Sequence, residues 1–169
     1  MPIFQPEPDV ETFRLSRDDA SESLSCVSPF SFELDGHRWP TVEHYYQAMK
    51  FDSAGLQSKI ASAATAQAAR KIGRGFFRRP RKDWSKVREV VMTRAVYIRA
   101  RTHEDIAERL LATDDQPIVE TSVYDYHWGC GRDGRGHNHY GKVLMNVRDK
   151  LREERAKQND QSDSTHSGD

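Results

Sequence analysis

Apolar residues at Val42, Tyr45, Tyr46 and Met49 follow the i, i+3, i+4, i+7 spacing of one helix face. Thr41 stands where a hydroxyl caps the first turn, directly after the extended Trp39-Pro40 pair. Glu43, Gln47 and Lys50 climb a neighbouring face at spacings of four and three, which can line one cleft wall with a carboxylate, an amide and an ammonium; the plain alternative is that Glu43 complements the positive helix end and Lys50 sits in solvent. Upstream, Phe30 to Trp39 alternates apolar and polar positions around Asp35-Gly36, a dipeptide suited to the type I′ turn of a hairpin. Downstream, the pattern predicts a short helix from Leu56 to Ala63 and another opened by Thr65 and stopped by Gly73 in the C-terminal glycine position. A long helix over about 84–100 is capped by Asp83 and carries Trp84, Val87, Val91 and Ile98 near one face; a further helix covers about 103–112.

Pro117 to Val123 reads as a strand, followed by a glycine-punctuated loop from Tyr124 to Gly141 and an amphipathic helix marked by Val143, Leu144, Val147 and Leu151. Residues 1–23 carry three prolines and read as a loosely ordered lead-in, with Ile3-Phe4 or Phe13 tucked onto the body. Residues 156–169 are polar and read as a disordered tail. The expected architecture is therefore α+β and mainly α-helical, a single compact domain over 24–155 with a short hairpin and few strands.

Composition narrows the function classes. A chain of 169 residues with 36% hydrophobic content suits one domain with its own core. Its 26 basic and 26 acidic residues cancel, which excludes a global field for nucleic acid or anionic membrane and leaves only local contacts. No run of about 18 apolar residues occurs, and Met1 to Pro8 lacks the regions of a signal peptide; a cytoplasmic location is expected, or a nuclear one in a eukaryote. Cys26 and Cys130 form no CxxC pair and fit reduced thiols.

Three groups of residues carry candidate chemistry. In the glycine-rich loop, Asp125 and Trp128 put a charge and a flat ring three residues apart, which suits a ribose joined to a planar base, although a turn former and a core plug are the plain alternatives. His127, Cys130, His137 and His139 are zinc-type ligands, but their spacing matches no common finger. The basic run Arg70, Lys71, Arg74, Arg78, Arg79, Arg81, Lys82, Lys86 and Arg88 is either a solvated face or a phosphate-recognising one, with Arg74 best placed between Gly73 and Gly75.

Taken together, Trp39 to Phe51, Ile72-Gly-Arg, Asp83-Trp84, Glu120 to Gly131 and Asn138 to Met145 resemble, in order and spacing, the NADAR domain or YbiA-like family, over about residues 24–152. The resemblance implies a compact, mainly helical fold and an N-glycosidase activity without metal or other cofactor. Members are described as cleaving ribosylamine bonds in phosphorylated riboflavin-pathway intermediates, others as removing ADP-ribose from modified guanine in nucleic acid. The family motifs carry over onto Glu43 and Asp125 as catalytic residues. Trp128, Trp84, Lys50, Arg74, Asn138, Tyr46 and Gly129 match as substrate-binding positions. Cys26 stands where relatives commonly have an asparagine, and a thiol replaces the strong hydrogen bonds of an amide with weak ones.

On this reading Glu43 stabilises the cationic ribose of the transition state, Asp125 assists or holds hydroxyls, the tryptophans stack on the base, and Lys50 and Arg74 neutralise phosphate. ADP-ribose on guanine in nucleic acid is the expected substrate, with riboflavin-pathway ribosylamino-pyrimidines as the runner-up; no membrane and no obligate protein partner is expected. A non-catalytic reader of ADP-ribose or NAD and a zinc-supported nucleic-acid module are the rival classes.

Overall fold

The computed structural model describes residues 10–166, with side chains to residue 161. Ile3-Phe4 lies outside the described residues. Ten elements follow in the order β1 (Phe13–Leu15), β2 (Phe32–Leu34), β3 (His37–Trp39), α1 (Val42–Ala48), α2 (Ala54–Ala61), α3 (Ala66–Gly73), α4 (Trp84–Thr102), α5 (Glu104–Leu111), β4 (Ile118–Glu120) and α6 (His139–His166).

Helix α1 is the centre. Every one of its seven residues is buried, the polar Glu43, His44 and Gln47 included, because α2, α3, α4 and β3 surround it. Thr41 caps it as expected, its hydroxyl accepting from the His44 amide. The hairpin that delivers Trp39 turns through Asp35 and Gly36 at φ 54° and 75°, the two left-handed residues a type I′ turn needs. Trp39 then packs edge to face on Tyr45 and donates its indole N–H to the Leu34 carbonyl.

The lead-in is more ordered than its prolines suggest from Phe13 onward. Phe13–Leu15 pairs in parallel with Ile118–Glu120, and Arg109 lies over the Phe13 ring. A three-residue strand is too short to show alternation, so this partner of β4 has no signal in the sequence. Just beyond it, the Cys26 amide donates to the Arg17 carbonyl, and the Glu43 amide donates to the Cys26 carbonyl, each at 3.0 Å. The lead-in is thereby stitched to the start of α1. Arg99 of α4 is fully buried and donates from its two terminal nitrogens to the Leu24 and Ser25 carbonyls and the Ser28 hydroxyl, which fixes the turn bearing Cys26.

Three local expectations change. Gly73 ends α3 without a left-handed φ; its missing side chain makes room for Gln47, whose amide oxygen would collide with any Cβ there. Asp83 stands at the α4 N-cap, yet its carboxylate binds the Arg81 guanidinium instead of a helix amide. Helix α6 runs on to His166, fifteen residues past Leu151, the last of its apolar marks, and through most of the stretch read as a disordered tail. Among the described residues no helix is long and apolar enough to cross a membrane.

Candidate active site

The segments that leave β1 and β4, the start of the glycine-rich loop and the end of α3 border an open cleft of about 740 Å³, lined by Arg17, Asp18, Arg70, Arg74, Tyr124 and Asp125 among others. Asp125 reaches it from the loop. One carboxylate oxygen accepts from the His127 and Trp128 amides at 3.0 and 2.8 Å, and the other accepts from Arg17 at 2.7 Å. Burial raises the pKa of this carboxyl, but those amides and the Arg17 charge outweigh it, and the net direction is downward. Asp125 is thus a fixed anion.

Glu43 lies behind the cleft wall, fully buried. Arg70, which does line the cleft, forks onto both of its oxygens at 3.0 and 3.1 Å and reaches Asp18 at 2.6 Å; Gln47 donates to the same carboxylate at 2.6 Å. Desolvation pushes the Glu43 carboxyl up, yet the Arg70 fork and the Gln47 amide prevail and hold its pKa below the ordinary value. Lys50 shows the opposite balance. Burial, then the repulsion of Arg74, Arg70 and Arg17, overcome the attraction of Glu43 and push its ammonium down to about 8. Its Nζ sits 5.7 Å over the Tyr46 ring.

The structure brings Glu43, Lys50, Arg74 and Asp125 to one region, but places the other sequence-chosen residues differently. Trp128 is only 5% exposed and packs edge to face on Tyr46, which also touches Trp84 at 5.0 Å; these rings form a wall and not an open stacking face. Burial raises the Tyr46 hydroxyl to about 12, so it stays protonated. Asn138, at φ 51°, spends its amide on β4, accepting from the Glu120 N–H and donating to the Ile118 carbonyl. Gly129 lets the loop close, since a Cβ would meet Glu120, Ser122 and Asp125. Cys26 is fully buried beside Met92, and burial raises its thiol to about 12; it contacts no cleft surface and works through its backbone.

Sequence reasoning missed Arg17, Arg70 as a fork, and Glu120. Arg17 is 5% exposed and ties the site together, its amide bonded to Glu120 and its guanidinium to Asp125. Only the fact that an arginine flanks the unseen β1 strand could have flagged it. The zinc grouping His127, Cys130, His137 and His139 is not what gathers; Glu89, His127 and His139 bring ligand atoms within 4.8 Å of one another instead. Arg88 opposes a cation there. Its guanidinium lies 3.0 Å from His127 Nδ1, and an arginine only donates, so the neutral ring carries its proton on Nε2, the atom that faces Glu89.

The NADAR domain profile matches residues 12–152. The chain is 44% identical over 132 residues to "N-glycosidase Npun_R5314" of Nostoc punctiforme, covering 76% of this chain and 85% of that one. It is 34% identical over 136 residues to "N-glycosidase YbiA" of Escherichia coli, covering 80% and 85% respectively. With "Riboflavin biosynthesis protein VVA0006" of Vibrio vulnificus it shares 41% identity over 130 residues, which is 35% of that longer protein. Among solved structures, the NMR structure of Escherichia coli YbiA superposes with a TM-score of 0.79 at 31% identity, covering 92% of this chain and 96% of that one. A profile spanning most of the chain, with relatives this similar over most of their length, means that the chain belongs to the NADAR domain family, several of whose members are named N-glycosidases.

Proposed function

We propose that this chain is an N-glycosidase hydrolysing the bond between a (phospho)ribose and a base, and specifically a glycohydrolase that removes ADP-ribose from modified guanine in nucleic acid. The observation that carries the reading is a cluster of two carboxylates held ionised and four cations about one cleft wall: Asp125, Arg17, Arg70 and Arg74 line the cleft, and Glu43 lies buried behind Arg70, within the electrostatic reach of Lys50.

Breaking an N-glycosidic bond builds positive charge on C1 and the ring oxygen of ribose, so an anion beside it binds the transition state better than the substrate. Glu43 supplies that anion. Arg70 covers it, and a substrate phosphate offers the guanidinium a second forked partner, drawing it off Glu43 as the ribose arrives. Asp125, already accepting three hydrogen bonds, is too stabilised as an anion to act as an acid; it holds the loop and presents charge to ribose hydroxyls. The departing base takes a proton from Lys50, whose ammonium is near 8 and so charged at neutral pH, while water adds to C1 and gives up a proton that restores the Lys50 ammonium. Tyr124, 85% exposed at the rim, offers the base a stacking face that Trp128 does not.

Arg70 and Arg74 both line the cleft and supply two cations for two phosphates, and the cleft lies within the roughly 300–1,000 Å³ of cofactor-sized sites, which favours ADP-ribose. The Vibrio relative's name favours a second reading, hydrolysis of phosphorylated ribosylamino-pyrimidines of riboflavin biosynthesis. Mass spectrometry of products after incubation with ADP-ribosylated guanine DNA and, separately, with a phosphoribosylamino-pyrimidine tests both. Release of ADP-ribose is the expected result. Release of ribose phosphate alone replaces it with the second reading, and binding of ADP-ribose with no bond broken in either substrate makes the chain a non-catalytic reader.

A further inference from the structure

Two aromatic rings stand almost wholly in solvent at the tip of the connection between α3 and α4. Phe76 is 95% exposed and Phe77 94%. Single exposed apolar residues are ordinary, but two adjacent large rings left out of the core are not. They meet edge to face with centroids 5.3 Å apart, and at this exposure each presents an open ring face.

Their surroundings are cationic. Residues 70–88 contain nine lysines and arginines against one acid, Asp83, in a chain whose total charge is zero. Asp83 is already held by Arg81, and Arg70 by Glu43 and Asp18; Arg74, Arg78, Arg79 and Lys82 enter no ion pair among the described residues. The loop is also anchored. The Arg81 amide donates to the Lys50 carbonyl at 2.7 Å, and the Arg78 amide to Gly75 at 3.0 Å, so the tip projects from a fixed base. At its start Arg74 lines the cleft, and on its other side Phe77, Arg79 and Lys82 border a second hollow of about 490 Å³.

We propose that the 74–82 loop is a docking surface for single-stranded nucleic acid whose modified nucleotide occupies the cleft, an inference that rests on the nucleic-acid reading given above. Bases stack on Phe76 and Phe77, and Arg78, Arg79 and Lys82 take the flanking phosphates. Aromatic faces interleaved with cations are the chemistry that holds unpaired strands without reading sequence, and duplex bases offer no free face to stack. A lipid surface would also accept rings and cations. Here, however, the hollow beside the rings is bordered by Arg79 and Lys82 and the loop runs directly into a polar cleft, which suits a phosphodiester chain better than acyl tails.

The test is fluorescence anisotropy with a labelled, unmodified single-stranded DNA of about 12 nucleotides, inside the usual site size, and with its duplex. Wild type is compared with the Phe76→Ser, Phe77→Ser double variant, whose exposed positions leave the core untouched. The expected result is wild-type binding that weakens with salt and prefers the single strand, reduced about tenfold or more in the double variant with a similar salt slope. Equal binding by the two proteins overturns the proposal. So does wild type failing to bind the oligonucleotide at low salt, whether the rings prove instead to hold phosphatidylserine vesicles or a second copy of the chain. Hydrolysis of ADP-ribosyl guanosine by wild type is measured alongside: if it fails while ring-dependent binding persists, the function reading falls and the docking surface stands; if it succeeds without oligonucleotide binding, the docking surface falls alone.

Discussion

A carboxylate taken fully out of water keeps its charge only when its partners restore what hydration supplied, and Glu43 has such partners in the Arg70 fork and the Gln47 amide. Lys50 has too few. Three neighbouring cations and its own burial bring its ammonium to about 8, within reach of physiological pH. If Lys50 protonates the leaving base, it works while charged, so kcat/KM should be level below about pH 7 and fall as pH rises through about 8. The pH profile of wild type against Lys50→Arg checks this: the arginine stays charged throughout, so the alkaline limb should disappear along with much of the rate. A wild-type profile that stays level to about pH 10 would assign the proton to another group.

At the scale of elements, the site depends on α3 pressing against α1 closely enough for Gln47 to lie over Gly73. A methyl group there must push Gln47 aside, and with it one of the three donors on Glu43. Gly73→Ala should therefore destabilise the fold by about 1–3 kcal/mol, seen as a shifted urea midpoint, and lower kcat although residue 73 touches no substrate. An unchanged midpoint would mean that the helices separate at no cost. The contact also marks where the sequence was legible. Helix α1, its Thr41 cap and the Asp35-Gly36 turn follow from local spacing and turn chemistry, and so do Glu43 and Asp125 as candidates. Strand β1, the Arg17 clasp and the Arg70 fork were not legible, because each joins residues 27 to 108 positions apart and no local pattern encodes such pairings. Trp128, Asn138 and Gly129 carry the same motif whether they touch substrate or hold the loop, and only packing separates the two roles.

At the scale of the molecule, the two carboxylates couple function to stability. Both have folded pKa values below their unfolded ones, so each contributes stability that is complete above about pH 5 and lost as pH falls through the folded value. The melting temperature should be nearly flat from about pH 5 to 7 and several degrees lower at about pH 3.5, and Asp125→Asn should blunt that acid decline. A melting temperature that does not change over this range would contradict the ionised state assigned to the pair. The neutral total charge conceals this local order: Asp125 faces the cleft, Glu43 lies buried behind its wall, arginines line it, and the basic loop runs alongside. The anion at Glu43 is the group on which hydrolysis depends most. The decisive measurement is single-turnover release of ADP-ribose from ADP-ribosylated guanine DNA by wild type and Glu43→Gln, with the dissociation constant measured in parallel. The expected result is a rate lower by about 100-fold or more with binding changed only slightly, the mark of a group that acts in the transition state. Near-normal release by the glutamine variant would contradict it.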